Sequence, residues 1–159
     1  MNKTAAVITV SDRSHRGERE DFSGPAVAQM LRQAGFEITG VEIIPDDEEK
    51  ICTVLYRYVD RAQLVVTTGG TGVAKRDVTP EATMAICERL IPGIPEVMRS
   101  EGVKKTPMAP LSRGVCGTRG STLILNVPGN PNGAVESLQA VMALVLHALE
   151  LLAGNTDHS

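Results

Sequence analysis

The chain has no tryptophan, and only two Phe and two Tyr among its 159 residues. Binders of single-stranded nucleic acid stack bases on aromatic rings, so this scarcity, together with a formal charge of -3, argues against a nucleic-acid partner. The core must be aliphatic. Cysteine is sparse too: Cys52, Cys87 and Cys116 are odd in number, far apart and each set in an apolar pattern, with no Cys-x-x-Cys pair. This favours buried thiols over a disulfide framework or a zinc site. His15, His147 and His158 show no paired metal-ligand spacing, and no Ser, His or Cys stands in a nucleophile elbow. No apolar run approaches a membrane span, and the first strand begins too early for a signal peptide; a cytoplasmic protein with no membrane partner is expected.

What is present reads as alternating strands and helices. Lys3 to Val10 is a first strand, Gly24 to Ala34 an amphipathic helix with Val27, Met30 and Leu31 inward, and Glu37 to Ile44 a second strand. Asp46 or Asp47 caps a helix reaching about Val59, and the strand Leu64 to Thr68 follows. Pro80 fits the first turn of a helix to Leu90, with Thr79 as its cap, and a short helix runs from Pro95 to Glu101. Lys104 to Ser112, with Pro107 and Pro110, reads as loop. Val115 and Leu123 to Val127 are strand-like around a turn at Gly117-Thr-Arg-Gly120, and form a short antiparallel edge. A long helix runs from Gly133 to about Leu152. This order predicts one α/β domain over residues 1–153, with a mostly parallel sheet between two helical layers and a frayed tail at 154–159.

In such a sheet the ligand crevice lies beyond the carboxyl ends of the strands. Here those ends are Ser11-Asp12-Arg13, Asp46-Asp47, Thr68-Gly69-Gly70-Thr71-Gly72 and Pro128-Gly129-Asn130-Pro131. The glycine loop lacks the Gly-Lys-Ser/Thr ending of a P-loop, and Lys75 stands where a dinucleotide fingerprint needs its third glycine. What remains is backbone N–H unobstructed by side chains, with the Thr68 and Thr71 hydroxyls, suited to phosphate oxygens. Asp77 beside bound phosphate would be repelled unless a cation intervened, and magnesium, held by one or two carboxylates plus phosphates, resolves the conflict through Asp46 and Asp77. Two bland readings stand beside this: Asp46 as a helix cap, and Asp77 as a charge favouring the N-terminus of the next helix. Ser112 and Arg113 offer a hydroxyl and a guanidinium for an anion, or Arg113 pairs with a surface carboxylate. Between Arg99 and Arg119 five basic residues face one acid, Glu101, which suits a small polyanion or a solvated basic loop.

Ser11-Asp12-Arg13, Asp21-Phe-Ser-Gly-Pro25, Ile44-Pro-Asp46, Thr67-Thr-Gly-Gly-Thr-Gly72, Arg76-Asp-Val-Thr-Pro-Glu-Ala82, Leu111-Ser-Arg113 and Leu125-Asn-Val-Pro-Gly-Asn-Pro131 follow one another in this order. Together they resemble the molybdopterin adenylyltransferase family of molybdenum-cofactor synthesis, the MogA and MoaB proteins and the G domain of gephyrin. The resemblance implies a molybdopterin-binding-domain-like α/β/α fold and an enzyme that transfers AMP from ATP to the terminal phosphate of molybdopterin, releases pyrophosphate and uses Mg2+. It implies Asp46 and Asp77 as catalytic and metal-binding acids. Thr68, Gly69, Gly70, Thr71, Gly72, Ser11 and Asp12 would be on the nucleotide and phosphate side, and Ser112, Arg113, Pro128, Gly129, Asn130 and Pro131 would contact the substrate. It further implies a homotrimer or hexamer, with hand-over to a molybdenum insertase. The alternative is a non-catalytic, MoaB-like pterin carrier; the intact Arg76 to Pro80 segment favours the enzyme.

Overall fold

The computed structural model describes residues 3–156, so His158 and the last part of the expected tail lie outside the described residues. β1 (Lys3–Val10) is apolar on both sides: Ala5 and Val7 join one core, and Ala6, Ile8 and Val10 the other. β3 (Leu64–Thr68) and β6 (Thr122–Val127) are buried throughout and split in the same way. A continuous apolar run is what a strand covered on both faces requires. β2 (Phe36–Ile44) alternates exposed and covered positions, as suits the edge it occupies.

The sheet order is β2-β1-β3-β6-β5-β4, where β5 is Cys116–Arg119 and β4 is Arg89–Leu90. β2, β1, β3 and β6 are parallel, while β5 runs antiparallel to β6 and β4 antiparallel to β5. The chain leaves β1 toward β2 on one side and returns past it to β3, so the connections diverge between β1 and β3. That is where an open α/β sheet leaves a crevice. Helices α2 (Ser23–Gln33), α5 (Gly93–Gly102) and α6 (Pro131–Leu152) cover one face, and α3 (Glu48–Tyr58) and α4 (Thr79–Ile86) the other. A four-residue helix, α1 (Asp12–His15), follows β1, capped by the Ser11 hydroxyl, which accepts from the N–H of Ser14 at 3.1 Å.

α6 places Leu138, Val141 and Val145, each fully buried, against the sheet. Each such side chain contributes about 1.5–3 kcal/mol, so Leu138→Ala would cost about 2–5 kcal/mol once the cavity is counted. With 22 residues and an 18-residue stretch of mean hydropathy 1.6, α6 is long and apolar enough to cross a membrane by length and composition. The expectation that no apolar run approaches a span is therefore corrected, but the apolarity of this helix serves the domain core.

Three expected boundaries shift for tertiary reasons. α4 ends at Ile86 and not at Leu90, because Cys87 turns extended and Arg89–Leu90 pair with β5. Gly117, Thr118 and Arg119, expected as a turn, lie within β5, and the reversal falls at Gly120-Ser121. α5 begins at Gly93, two residues before Pro95.

Candidate active site

The carboxyl ends of the four parallel strands meet on one edge of the sheet. Ser11 N–H donates to Ile44 O at 2.9 Å, joining the ends of β1 and β2, and Gly69 N–H donates to Val127 O at 3.2 Å, joining those of β3 and β6. Gly69 and Gly70 have φ of +93° and +68°, the left-handed region that glycine tolerates. A Cβ on Gly69 would collide with Val10 O, and one on Gly70 with Thr79 Oγ1. The loop is held to the start of α4 by Thr79, whose hydroxyl donates to Gly69 O at 3.0 Å and whose N–H donates to Gly70 O at 3.1 Å. Since Gly69 N–H is spent on β6, the open donors begin one residue later. Among the described residues no acceptor reaches the N–H of Gly70, Thr71 or Gly72, which leaves consecutive amides for an anion.

This loop is a ridge between two clefts. A smaller one, about 310 Å3, is lined by Ser11, Asp21, Asp46, Thr68 to Gly70 and Asp77. A larger one, about 900 Å3, is lined by Thr71, Gly72, Met98, Arg99, Ser112 and Pro128. Asn130 borders both, whereas Gly129 and Pro131 face only the smaller. Asn130 also caps α6, its Oδ1 accepting from Gly133 N–H at 2.9 Å.

Asp47, and not Asp46, caps α3, accepting from Lys50 N–H at 2.9 Å. Asp46 is thereby free for other work. Its Oδ2 accepts from Asp12 N–H at 2.9 Å, and its own N–H donates to Asp12 Oδ1 at 3.0 Å. Burial pushes the Asp46 carboxyl above the usual range, aided by the charges of Asp12 and Asp77 and opposed by the Asp12 amide and Arg76. Asp12 moves the other way, to about 2, because the Arg76 guanidinium bonds it at 2.7 and 3.0 Å. Asp77 turns its carboxylate back onto the loop, where Oδ2 accepts from Ala74 N–H at 3.0 Å.

The glycines bring these acids to the ridge. Positions where side chains on Gly70 and Gly72 would begin lie 3.0 Å from Asp46 Oδ1 and 2.8 Å from Asp77 Oδ2. Among the described residues no hydrogen bond reaches Oδ1 of either acid. No group of three or more His, Cys, Asp or Glu that could hold a metal ion occurs among them either. A magnesium ion taking one or two carboxylates and completing its shell with phosphate and water fits this donor set.

Arg113 is half-buried and lies against the loop. Its Nε donates to Gly72 O at 2.7 Å, Nη2 to Asp77 O at 2.8 Å, and Nη1 to Glu81 at 2.7 Å, while its backbone N–H donates to Thr71 O at 2.7 Å. It ties the ridge to α4 and is not among the residues lining either cleft, unlike its neighbour Ser112. The pairing with a carboxylate, one of the two readings of Arg113, is made with Glu81.

Sequence reasoning about single residues passed over a network beneath the smaller cleft. Asp21 accepts from the Thr9 hydroxyl at 2.7 Å, the Ser23 hydroxyl at 3.2 Å and Gly24 N–H at 3.0 Å, and Ser23 Oγ lies 2.6 Å from Thr68 Oγ1. The signal was local: an aspartate three residues before Gly24, in the first turn of α2. On the opposite face, buried Asn126 donates to Thr67 and Thr83 hydroxyls at 2.9 and 3.0 Å and accepts from Val115 N–H at 3.1 Å.

Residues 6–148 match the family described as "Probable molybdopterin binding domain". The molybdopterin adenylyltransferase of Helicobacter pylori strain J99 is 40% identical over 153 residues, covering 94% of this chain and 87% of that protein. Molybdenum cofactor synthesis protein cinnamon of Drosophila melanogaster is also 40% identical, but the chain spans only 25% of its length. Among solved structures, the molybdopterin biosynthesis enzyme MoaB of Thermus thermophilus superposes with a TM-score of 0.90 at 49% identity, covering 96% of this chain and 97% of that one.

Proposed function

This chain belongs to the molybdopterin-binding domain family, and on that footing we propose that it is a molybdopterin adenylyltransferase of molybdenum-cofactor biosynthesis. One observation carries the reading: the open amides of Gly70, Thr71 and Gly72 stand between Asp46 and Asp77 on a ridge with a cleft on either side. A reaction that joins two phosphate-bearing substrates needs such a shared edge.

ATP occupies the smaller cleft and molybdopterin the larger, each presenting its phosphate at the ridge. An oxygen of the pterin's terminal phosphate attacks the α-phosphorus of ATP, the bond from that phosphorus to the bridging oxygen of the β-phosphate breaks, and pyrophosphate leaves. The substrate supplies its own nucleophile, so the chain positions groups and stabilises charge. The amides of Gly70 to Gly72 bind phosphate oxygens, Ser112 orients the pterin side, and Arg113 keeps the ridge rigid. Asp46 and Asp77 would hold magnesium, which when bound would supply positive charge against the phosphates.

Incubation of the protein with molybdopterin, ATP and Mg2+ should yield adenylylated pterin and pyrophosphate, and chelation should stop it. No product above a protein-free control defeats the reading; pterin binding without Mg2+-dependent ATP binding would instead identify a carrier. The family resemblance extends the proposal to a cytoplasmic homotrimer or hexamer that hands its product to a molybdenum insertase, which light scattering and a coupled insertion assay check.

A further inference from the structure

We infer that the Arg76–Asp12 ion pair is a strap that aims Asp46, making Arg76 and Asp12 positioning residues for the acid at the ridge. Three chain segments meet there: Asp12 follows β1, Asp46 follows β2, and Arg76 lies in the loop after β3. Ser11 performs the capping of α1, so Asp12 is not needed for it. Asp12 instead spends both carboxylate oxygens across the crevice. Oδ1 accepts from Asp46 N–H at 3.0 Å and Arg76 Nη2 at 3.0 Å, and Oδ2 accepts from Arg76 Nε at 2.7 Å. The planar fork fixes the rotation of the Asp12 carboxylate. With Asp12 fixed, its amide holds Asp46 Oδ2 at 2.9 Å, and Asp46 Oδ1 is left toward Gly70.

Stability does not account for the pair, because the Arg76 side chain is 65% exposed and such surface pairs contribute about 0–1 kcal/mol. No atom of Arg76 hydrogen-bonds Asp46, so its hold on the orientation of that carboxylate passes through Asp12, while its charge also acts on Asp46 directly. Substrate phosphate is the competing partner for Arg76, and the two roles separate by experiment. If Arg76 contacts phosphate, freeing it by Asp12→Asn tightens ATP binding while Arg76→Gln weakens it. If it is a strap, both variants give the same defect.

The test uses the full chain, its Arg76→Gln, Arg76→Lys and Asp12→Asn variants, and the Arg76→Gln/Asp12→Asn double variant. In the ligand-free protein, NMR-resolved amide exchange at Asp46 should quicken about tenfold in Arg76→Gln, while Val66 in β3 stays within about twofold. In turnover, each single variant should lose about ten- to a hundredfold in kcat with KM for molybdopterin within about twofold, the double variant no more than a single one, and Lys should rescue little because it lacks the fork. Unchanged Asp46 exchange in Arg76→Gln, or opposite shifts of ATP KM in Arg76→Gln and Asp12→Asn, overturns the strap. The kinetic arm rests on the adenylyltransferase reading; should the parent protein make no product, that reading falls while the exchange rates still decide the strap.

Discussion

The smaller cleft is walled by strand ends and by side chains that are bonded to one another: Thr9, Asp21, Ser23 and Thr68 form one network beneath it. The larger cleft is walled by α5, α6 and the turn Ala109–Leu111, with Met98, Met108 and Leu111 on its surface. Met108 and Leu111 are 62% and 53% exposed, and the thioether is the most adaptable apolar side chain. The contrast follows from what each wall can resist. Charge developing on phosphate is stabilised only by groups that stay in place, and strand ends cross-linked by backbone hydrogen bonds stay in place. A large substrate ring tolerates, and gains from, a wall that repacks.

Removing an acid puts this contrast under the greatest stress. Asp77→Asn or Asp46→Asn should lower AMP transfer by about a hundred- to a thousandfold, while calorimetric pterin affinity stays within about twofold. Loss of pterin binding in either variant would merge the two clefts into one site. Asp46→Asn carries a second expectation. The folded-state carboxyl is raised above its unfolded value of 3.8, mainly by burial, so its charged form weakens the fold at pH above that value. Asparagine keeps the acceptor for Asp12 N–H without the charge, and Tm at pH 7 should equal or exceed that of the parent.

Arg113→Ala should act on both clefts at once, because it frees the Gly72 and Asp77 carbonyls that the guanidinium holds. A stability loss of about 1–2 kcal/mol is expected, read as a Tm drop of a few degrees, with ATP and pterin affinities both reduced. A defect confined to pterin binding would put Arg113 on the substrate itself.

Ser112→Ala should weaken molybdopterin by about fivefold, the equivalent of one hydrogen bond, and leave Mg2+·ATP binding alone. Equal losses for both ligands would contradict its assignment to the larger cleft.

The smallest effect is a titration. The Asp12 carboxyl stands at about 2 against 3.8 unfolded, so the stabilisation of its pair with Arg76 is present above roughly pH 4 and is lost as the pH falls toward 2. Carbon-detected NMR of Asp12 should follow this midpoint, and Arg76→Gln should move it upward. An unmoved midpoint would mean that Arg76 is not its partner in solution.

Much of this arrangement was legible without coordinates. Leu64 to Thr68 reads as a buried strand and is one, since a short aliphatic run bounded by glycines has few other uses. Asp46 at the end of β2 was legible as a strand-end acid, but Asp77 lies in the loop between β3 and α4, and β1 separates the two strands, so the approach of both acids to the glycine loop is set by the fold. Asp21 and Ser23 were passed over as site residues because a capping aspartate looks the same whether or not a cleft lies above it. Arg113 offered two readings, and its partners Gly72, Asp77 and Glu81 lie 41, 36 and 32 residues away.

The order of residues alone settles the long strands and helices, that the sheet is covered on both faces, and that a glycine loop stands at its carboxyl edge, but it misses α1 and reads β4 as helix. These properties depend on side-chain period and backbone sterics among near neighbours. Folding in three dimensions was needed to show that Asp47 caps α3 while Asp46 is released to Asp12, 34 residues away, that Arg76 reaches Asp12 across 64, and that the ridge divides two clefts. Carboxylate and guanidinium directions are set by the partners that folding brings within hydrogen-bond reach, and chain order does not record those partners.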